Sequence, residues 1–401
     1  MLTLHVMNAN GDKTEMYFDN IHFKFYKDKN GTIPILNGYD CLDNLNISIQ
    51  KKIIITLGYG CKNKCLYCIQ KNFKNPKFNL WKLVYEIKYL KNIYKNVTRM
   101  HFIGGEPLLQ FDIIKQLVRV FRESFKYSVI TNGLHLTDEM VSFFIENKFS
   151  IAISHDGEYN LIQRGTDVFK ENSNTAKLIH DLSENTNVHI TSVQCGFGTS
   201  LKRRWEYFNN LPFKFDSITV KPVIPFDRNF IKLVPGVNNW DEYFSNLLLD
   251  IYTIPSYPND RGNPSLLTDM IQLLINKYTE YDHTKSTCTI FNDNAFTLNQ
   301  SGYYQYCHNC LDDVKGRLDI FYTRYNRKSR CVKCPIVLLC MTTCRLLDDT
   351  CFKVSCDRSF HYRLAYFVYF VHQTFNCLIT SIEGDFHHAK DGRFDVAIAS
   401  A

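Results

Sequence analysis

Residues 58–70 read GYGCKNKCLYCIQ and place Cys61, Cys65 and Cys68 directly after the apolar run Ile53-Ile54-Ile55. Three thiolates at C-x3-C-x2-C spacing can hold three irons of a [4Fe–4S] cluster and leave the fourth without a protein ligand. An iron with an open position can bind a cofactor or substrate, which separates a reactive cluster from one that only carries electrons. Which of the two this loop builds depends on the chain around it.

Apolar runs of strand type fall at 52–57, 99–103, 128–131, 150–154, 187–194 and 217–223, with helical stretches between them near 80–95, 108–124, 137–147, 174–184 and 198–210. Strands alternating with helices of this length predict βαβ units and a parallel sheet. Six units make an α/β fold of partial (β/α)6 barrel type, with chemistry expected at the C-terminal strand ends by analogy with complete barrels. Residues 1–48 are strand-like and turn-rich and predict a small β extension before a barrel at 49–238. Residues 239–280 read as a helical bridge, 281–375 as a cysteine-rich second domain, and 376–401 as a polar, peripheral tail.

Composition narrows the class. The chain has 401 residues, 45% hydrophobic and 22% charged, with a formal net charge of +7. That balance is ordinary for a globular enzyme and carries no dense basic block interleaved with aromatics, so no nucleic-acid partner is expected. The N-terminus lacks a basic start followed by an apolar core, and the apolar stretch around 363–379 is interrupted by His372, Gln373 and Asn376. It reads as a buried aromatic helix, with no membrane span expected. Fifteen cysteines, an odd number, without an export signal favour metal or cluster ligation in a reducing, cytoplasmic setting over a disulfide framework.

The predicted strand ends carry polar motifs. Gly104-Gly105-Glu106-Pro107 follows the second strand, Thr131-Asn132-Gly133 the third and Ser154-His155-Asp156-Gly157 the fourth; Arg164 lies in LIQRGTD. Paired glycines allow close backbone approach to a ligand, and a carboxylate can accept from an ammonium group. Taken one at a time, the glycine pair with Glu106 also fits a strand-to-helix turn with an incidental carboxylate, the Asn-Gly and Asp-Gly steps ordinary turn chemistry, and Arg164 an exposed arginine. Taken together with the cysteine triad and Tyr67 before its third member, they resemble the radical S-adenosylmethionine (SAM) family. The resemblance implies that Cys61, Cys65 and Cys68 hold a [4Fe–4S] cluster with an open iron site. Tyr67, Gly104, Gly105, Glu106, Thr131, Asn132, Ser154, Asp156 and Arg164 would then lie around the SAM. Val193–Gly198 would pack on the adenine, and Cys195 reads as a buried structural thiol.

A second cysteine array begins at Cys288, followed by thirteen residues, Gly302, four residues and Cys307. Cys331, Cys334, Cys340 and Cys344 then form C-x2-C-x5-C-x3-C, with Cys351 and Cys356 beyond. The order resembles the SPASM domain, an auxiliary-cluster module of radical SAM enzymes that modify peptides, and FTLNQSGYYQYC fits the β-hairpin expected there. The resemblance implies one auxiliary [4Fe–4S] cluster on Cys331, Cys334, Cys340 and Cys356, with Cys351 the rival of Cys356. It implies a second on Cys288, Cys307 and Cys344, where Cys310 or an open iron completes the set. Spacing alone also fits a pair of structural zinc sites. Cys41 and Cys377 read as buried small hydrophobes.

The resemblance covers roughly 50–360. It implies an enzyme that reductively cleaves SAM to a 5′-deoxyadenosyl radical and abstracts hydrogen from a peptide or protein. The preferred reaction is maturation of a ribosomally made peptide, by thioether or carbon–carbon crosslinking or by epimerisation, with flavodoxin or ferredoxin as electron donor. A sulfatase maturase also fits: the position after Cys307, where that group places an aspartate base, is His308, which can also take a proton. Tyr303, Tyr306 and Asp312 are further groups on that side. The sequence is compatible as well with a dehydrogenase of small alcohols or sugars, and with a non-catalytic zinc or iron–sulfur protein.

Overall fold

The computed structural model describes residues 1–20, 22–35, 51–171, 173–255, 267, 295–305, 334–340 and 347–396. It begins with three strands, β1 (Leu2–Asn8), β2 (Lys13–Asp19) and β3 (Lys24–Tyr26), in which Leu2, Leu4 and Val6 alternate inward. Six strands follow: β4 (Lys51–Thr56), β5 (Val97–Ile103), β6 (Lys126–Thr131), β7 (Ser150–Ser154), β8 (Asn187–Gln194) and β9 (Ser217–Pro222). All six expected strands are present within a residue or two of their predicted bounds, and each pairs in parallel with the next. Sequential neighbours in strict order make a singly wound parallel sheet of six βα units, the partial (β/α)6 barrel expected. Ile53, Ile54, Ile55 and Thr56 of β4 are all buried, the signature of a parallel strand covered on both faces.

Helices α1 (Leu80–Ile93), α2 (Phe111–Phe121), α3 (Asp138–Glu146), α4 (Asn160–Arg164), α5 (Val168–Glu171), α6 (Ser173–Asn185) and α7 (Leu201–Asn209) fill the connections. Asn79, Thr137 and Ser200 cap α1, α3 and α7 through their side chains, accepting from the backbone N–H of Lys82, Met140 and Arg203. Of the predicted helical bridge, α8 (Trp240–Thr253) is described, and most of the remainder to 280 lies outside the described residues.

Strand β10 (Ala295–Asn299) and the short β11 (Tyr304–Gln305) form the hairpin expected from FTLNQSGYYQYC, paired Thr297 to Gln305 and Leu298 to Tyr304. β10 also pairs in parallel with β4, so the second cysteine region extends the barrel sheet at its opening strand, in the order β11-β10-β4-β5-β6-β7-β8-β9. Gly302, at φ +76°, makes the turn possible; a Cβ there would stand 2.7 Å from the Leu83 backbone nitrogen on α1.

After the short helix α9 (Val337–Cys340), the 27-residue helix α10 (Asp349–Phe375) carries the aromatic stretch. It starts earlier and stops sooner than the apolar run suggested, because Asn376 closes it in the left-handed conformation, at φ 52°. The chain after it corrects the expectation of a peripheral tail. Cys377–Glu383 forms β12 and Arg393–Asp395 forms β13; β12 pairs antiparallel with β1, giving a second sheet in the order β13-β12-β1-β2-β3. The composition after Gly384 hid a strand whose Cys377, Ile379 and Ser381 alternate inward. This sheet packs on α10: Phe18 lies 4.9 Å from Phe367, and Phe25 4.8 Å from Phe375, between ring centroids. Helix α10 reaches the barrel at β9, where Arg358 donates to the Pro222 carbonyl (2.9 Å) and the Tyr362 hydroxyl to that of Val220 (3.1 Å). Among the described residues no helix is long and apolar enough to cross a membrane.

Candidate active site at the strand ends

The loop bearing Cys61, Cys65 and Cys68 leaves β4 at its C-terminal end and is fastened along its length. The N–H groups of Gly105 and Glu106 donate to the carbonyls of Gly58 and Gly60, at 3.0 and 2.8 Å. Farther on, Lys64 N–H donates to the Arg164 carbonyl (3.1 Å), Leu66 N–H to that of Gln163 (2.9 Å), and the Thr166 hydroxyl to the Asn63 side chain (2.9 Å). The glycine pair is required by these contacts. A Cβ on Gly104, whose φ is +150°, would lie 2.5 Å from the Gly58 carbonyl oxygen, and one on Gly105 would lie 2.4 Å from that of Tyr59. The close approach predicted for a ligand is made here by the cysteine loop's own backbone.

Glu106 is buried and bonded to the strand ends around it. Its Oε1 accepts from the Leu108 N–H (3.0 Å) and the Thr131 hydroxyl (2.8 Å), and its Oε2 from the Asn132 N–H (2.9 Å). Burial pushes its carboxyl above the usual range, against the pull of these three donors. It thereby ties the end of β5 to the end of β6. Asn132, so held, directs its Nδ2 toward Cys61 Sγ at 3.5 Å. A cavity of about 90 Å³ beside Glu106 is lined by Gly58, Gly60, Asn75 and Gln300 among others.

The fourth and fifth strand ends hold a buried charged network. Asp156 Oδ1 accepts from Arg164 (3.0 Å) and from the Val193 N–H (2.7 Å), and Oδ2 from the Tyr67 hydroxyl (2.6 Å). Burial alone would raise the Asp156 carboxyl; the Arg164 charge and these bonds outweigh it and hold the group below its ordinary value. Arg164 is buried too, where the sequence also allowed an exposed arginine, and its Nε has no protein partner. The Gln163 amide, oriented to satisfy its neighbours, donates to the Val193 carbonyl (2.9 Å) and Asp156 Oδ2 (3.1 Å) and accepts from Arg204 (3.3 Å). Arg204, fully buried on α7, further donates to Ser192 Oγ and the carbonyls of Ser200 and Val193. Ser154 sits half-buried at the end of β7 with its hydroxyl 3.4 Å from that of Thr191. His155 is an inward structural group, its Nε2 3.0 Å from Asp167. Cys195 is fully buried, as expected of a structural thiol.

Gln163, Ser192 and Arg204 escaped the sequence reading. Gln163 carried the one available signal, adjacency to Arg164; Arg204 is one of two neighbouring arginines on α7, and only its face toward β8 marks it.

The three thiols fit a soft cationic centre. Cys61 is exposed, and Cys65 and Cys68 are half-buried in a loop that the strand ends hold rigid. Burial pushes the Cys65 thiol up to about 11, with Arg164 pulling the other way, and raises that of Cys61. Without a cation both would keep their protons, whereas a metal displaces them. The unpartnered Arg164 Nε, close enough to Cys65 to perturb it, offers a buried donor to an anionic neighbour.

The second array is partly described. Cys334 and Cys356 are half-buried, Cys351 is fully buried behind the Asp348 cap of α10, and of Cys340 only the backbone is described. Cys377 is buried as expected. Cys288, Cys307, Cys310, Cys331 and Cys344 lie outside the described residues, as do Cys41, His308, Tyr306 and Asp312. Tyr303 is exposed, with the Lys82 ammonium 3.1 Å from its ring centroid. Among the described residues, Gln305 Nε2 on β11 donates to the Tyr59 hydroxyl of the cysteine loop at 2.9 Å.

Residues 55–196 match the radical SAM superfamily model. An uncharacterised protein of Methanocaldococcus jannaschii is 27% identical over 217 residues, 52% of this chain and 73% of that protein. A cysteine-type anaerobic sulfatase-maturating enzyme of Clostridium novyi is 24% identical over 39% of this chain, and the chain spans only 47% of it. Among solved structures, native anSMEcpe with bound AdoMet superposes with a TM-score of 0.62 at 19% identity, covering 80% of this chain and 98% of that one. The same enzyme with AdoMet and the Cp18Cys peptide gives 0.56 at 18% identity, covering 78% and 96%. These likenesses establish the fold, and the superfamily match supports SAM and a [4Fe–4S] cluster as cofactors. The radical SAM superfamily match spans residues 55–196, which carry the cysteine loop and the strand ends around Glu106, Asp156 and Arg164.

Proposed function

We propose that the chain is a radical SAM/SPASM maturase of a peptide or protein substrate, acting at the C-terminal ends of β4–β9. In this reading Cys61, Cys65 and Cys68 hold the open cluster, and Asn132 tunes it through its contact with Cys61 Sγ. Arg164 and Ser154 face the bound SAM, while Glu106, Thr131, Tyr67 and Asp156 hold those strand ends in place. When bound, the cluster and SAM together supply a carbon-centred radical able to abstract hydrogen. The chain's own part is to fix the substrate's C–H bond beside them and to exclude water.

The observation that carries the peptide reading is the β10–β11 hairpin. Residues 295–305, which fall between Cys288 and Cys307 in sequence, are built onto the edge of β4 and bonded to the cysteine loop through Gln305 and Tyr59. An auxiliary cluster on those cysteines, which lie outside the described residues, would accept an electron from a substrate radical in a net oxidation. The likeness to a structure with a bound peptide points the same way. Cys331, Cys334, Cys340 and Cys356 would hold the second auxiliary cluster, and flavodoxin or ferredoxin would supply the reducing electron.

The test is anaerobic reconstitution, followed by incubation with SAM, reductant and the short peptides encoded beside the gene. Expected are about twelve irons per chain, if all three clusters assemble, with deoxyadenosine formation and a changed mass or stereochemistry in one peptide. Deoxyadenosine without a change in any such peptide would refute the maturase reading. Zinc in the cysteine sites without SAM cleavage would refute the radical chemistry itself.

A further inference from the structure

The tail that joins the second sheet carries a cluster the radical chemistry does not use. Asp357 on α10 and His387 and His388 in the β12–β13 connection place three potential ligand atoms within 4.8 Å of one another. His388 is held face to face on Phe360, at 3.9 Å between centroids and 9° between planes, with its Nε2 3.1 Å from Asp357 Oδ1. Two ligands of one tetrahedral metal, each about 2.0–2.1 Å from it, stand about 3.3 Å apart, so the pair already has the spacing of a shared cation. His388 Nδ1 is buried without a hydrogen-bond partner, while Nε2 is the ring nitrogen that faces Asp357. The ligands come from elements about thirty positions apart in sequence, so helical periodicity does not explain their meeting. His387 is exposed and leaves an entry path.

We propose that Asp357, His387 and His388 form a site for a divalent transition metal of the zinc class. Two imidazoles and one carboxylate suit a borderline cation, with water in the remaining position. Bound there, the metal clips the β12–β13 connection to α10 one residue before Arg358, which holds the end of β9. The site thereby fastens the N- and C-terminal sheet to the barrel. The proposal stands independently of the substrate.

The experiment uses the full chain with its clusters reconstituted anaerobically, cleared of loose metal and titrated with zinc chloride. Expected is one zinc per chain whose X-ray absorption shows only nitrogen and oxygen neighbours near about 2.0 Å, together with a raised melting temperature. His387→Ala, at an exposed position, and Asp357→Asn should each weaken zinc binding at least about tenfold, with iron content and the zinc-free melting temperature of His387→Ala unchanged. A zinc shell containing sulfur, no zinc beyond the cluster sites, or wild-type zinc affinity in His387→Ala would overturn the proposal.

Discussion

Replacing Asp156 by asparagine should destabilise the barrel through Arg164. The two groups are buried and lie 3.0 Å apart, and Asp156 also accepts from the Val193 N–H, the Tyr67 hydroxyl, the Gln163 amide and the Ser192 hydroxyl. Asparagine keeps the shape but turns one acceptor into an NH2 group facing donors and strips Arg164 of its counter-charge. Breaking a buried pair from one side costs about 3–5 kcal/mol, because the remaining charge stays desolvated. With about 2.1 cal/mol/K of unfolding entropy per residue, a chain of 401 residues melting as one unit loses about 1.2 °C per kcal/mol. The expected fall is therefore about 4–6 °C, read by calorimetry without SAM, so that any role in cofactor binding does not enter. Arg164→Met removes the stranded charge, and the double variant should melt above Asp156→Asn alone. The Arg164 carbonyl anchors Lys64, so Asp156→Asn should also retain less iron after reconstitution. A fall below about 1 °C, or a double variant whose losses simply add, would refute the buried-pair argument.

Gly105→Ala should cost about 1–3 kcal/mol and cluster content together, since its Cβ would meet the Tyr59 and Gly60 carbonyl oxygens at 2.4 and 2.5 Å; a variant with wild-type iron content and melting temperature would sink this. Burial holds His361 down to about 4, against the hydrogen bond to the Asp357 carbonyl, so the fold refuses a proton that the unfolded chain accepts below about pH 6.5. Stability should be flat above that pH and fall by about 3 kcal/mol as pH drops toward 4, and denaturant melts of His361→Gln should lack that part of the slope. Gln305→Ala removes the hairpin's bond to Tyr59 at about 0.5–1.5 kcal/mol. It should leave SAM cleavage near wild type while reducing the fraction of cleavage events coupled to peptide modification; unchanged coupling would argue against the hairpin as the link between the two centres.

The barrel was legible because each of its strands is a short, nearly continuous apolar run, and because a singly wound parallel sheet places sequence neighbours side by side. The cysteine loop was legible for a different reason: ligand spacing along one loop is a local property. What the sequence concealed is pairing at a distance. Nothing near Cys377–Glu383 says that its partner is Leu2–Asn8, and the charged residues after Gly384 mask a strand whose inward side is Cys377, Ile379 and Ser381. Nothing in FTLNQSG says that it will lie against β4. The strand-end residues divide along the same line. Glu106, Asp156 and Arg164 were found by position, but their hydrogen bonds, to Asn132, Val193 and Tyr67 among others, are settled only once six strand ends converge. Convergence also changes what those residues are for. A carboxylate already holding three donors, as Glu106 does, stiffens the wall of the site, whereas the unpartnered Arg164 Nε is still open to a ligand. Substitution should separate the two. Glu106→Gln should lower stability and iron content together, while loss at Arg164, once its charge effect on Asp156 is subtracted by the double variant, should be felt in SAM affinity.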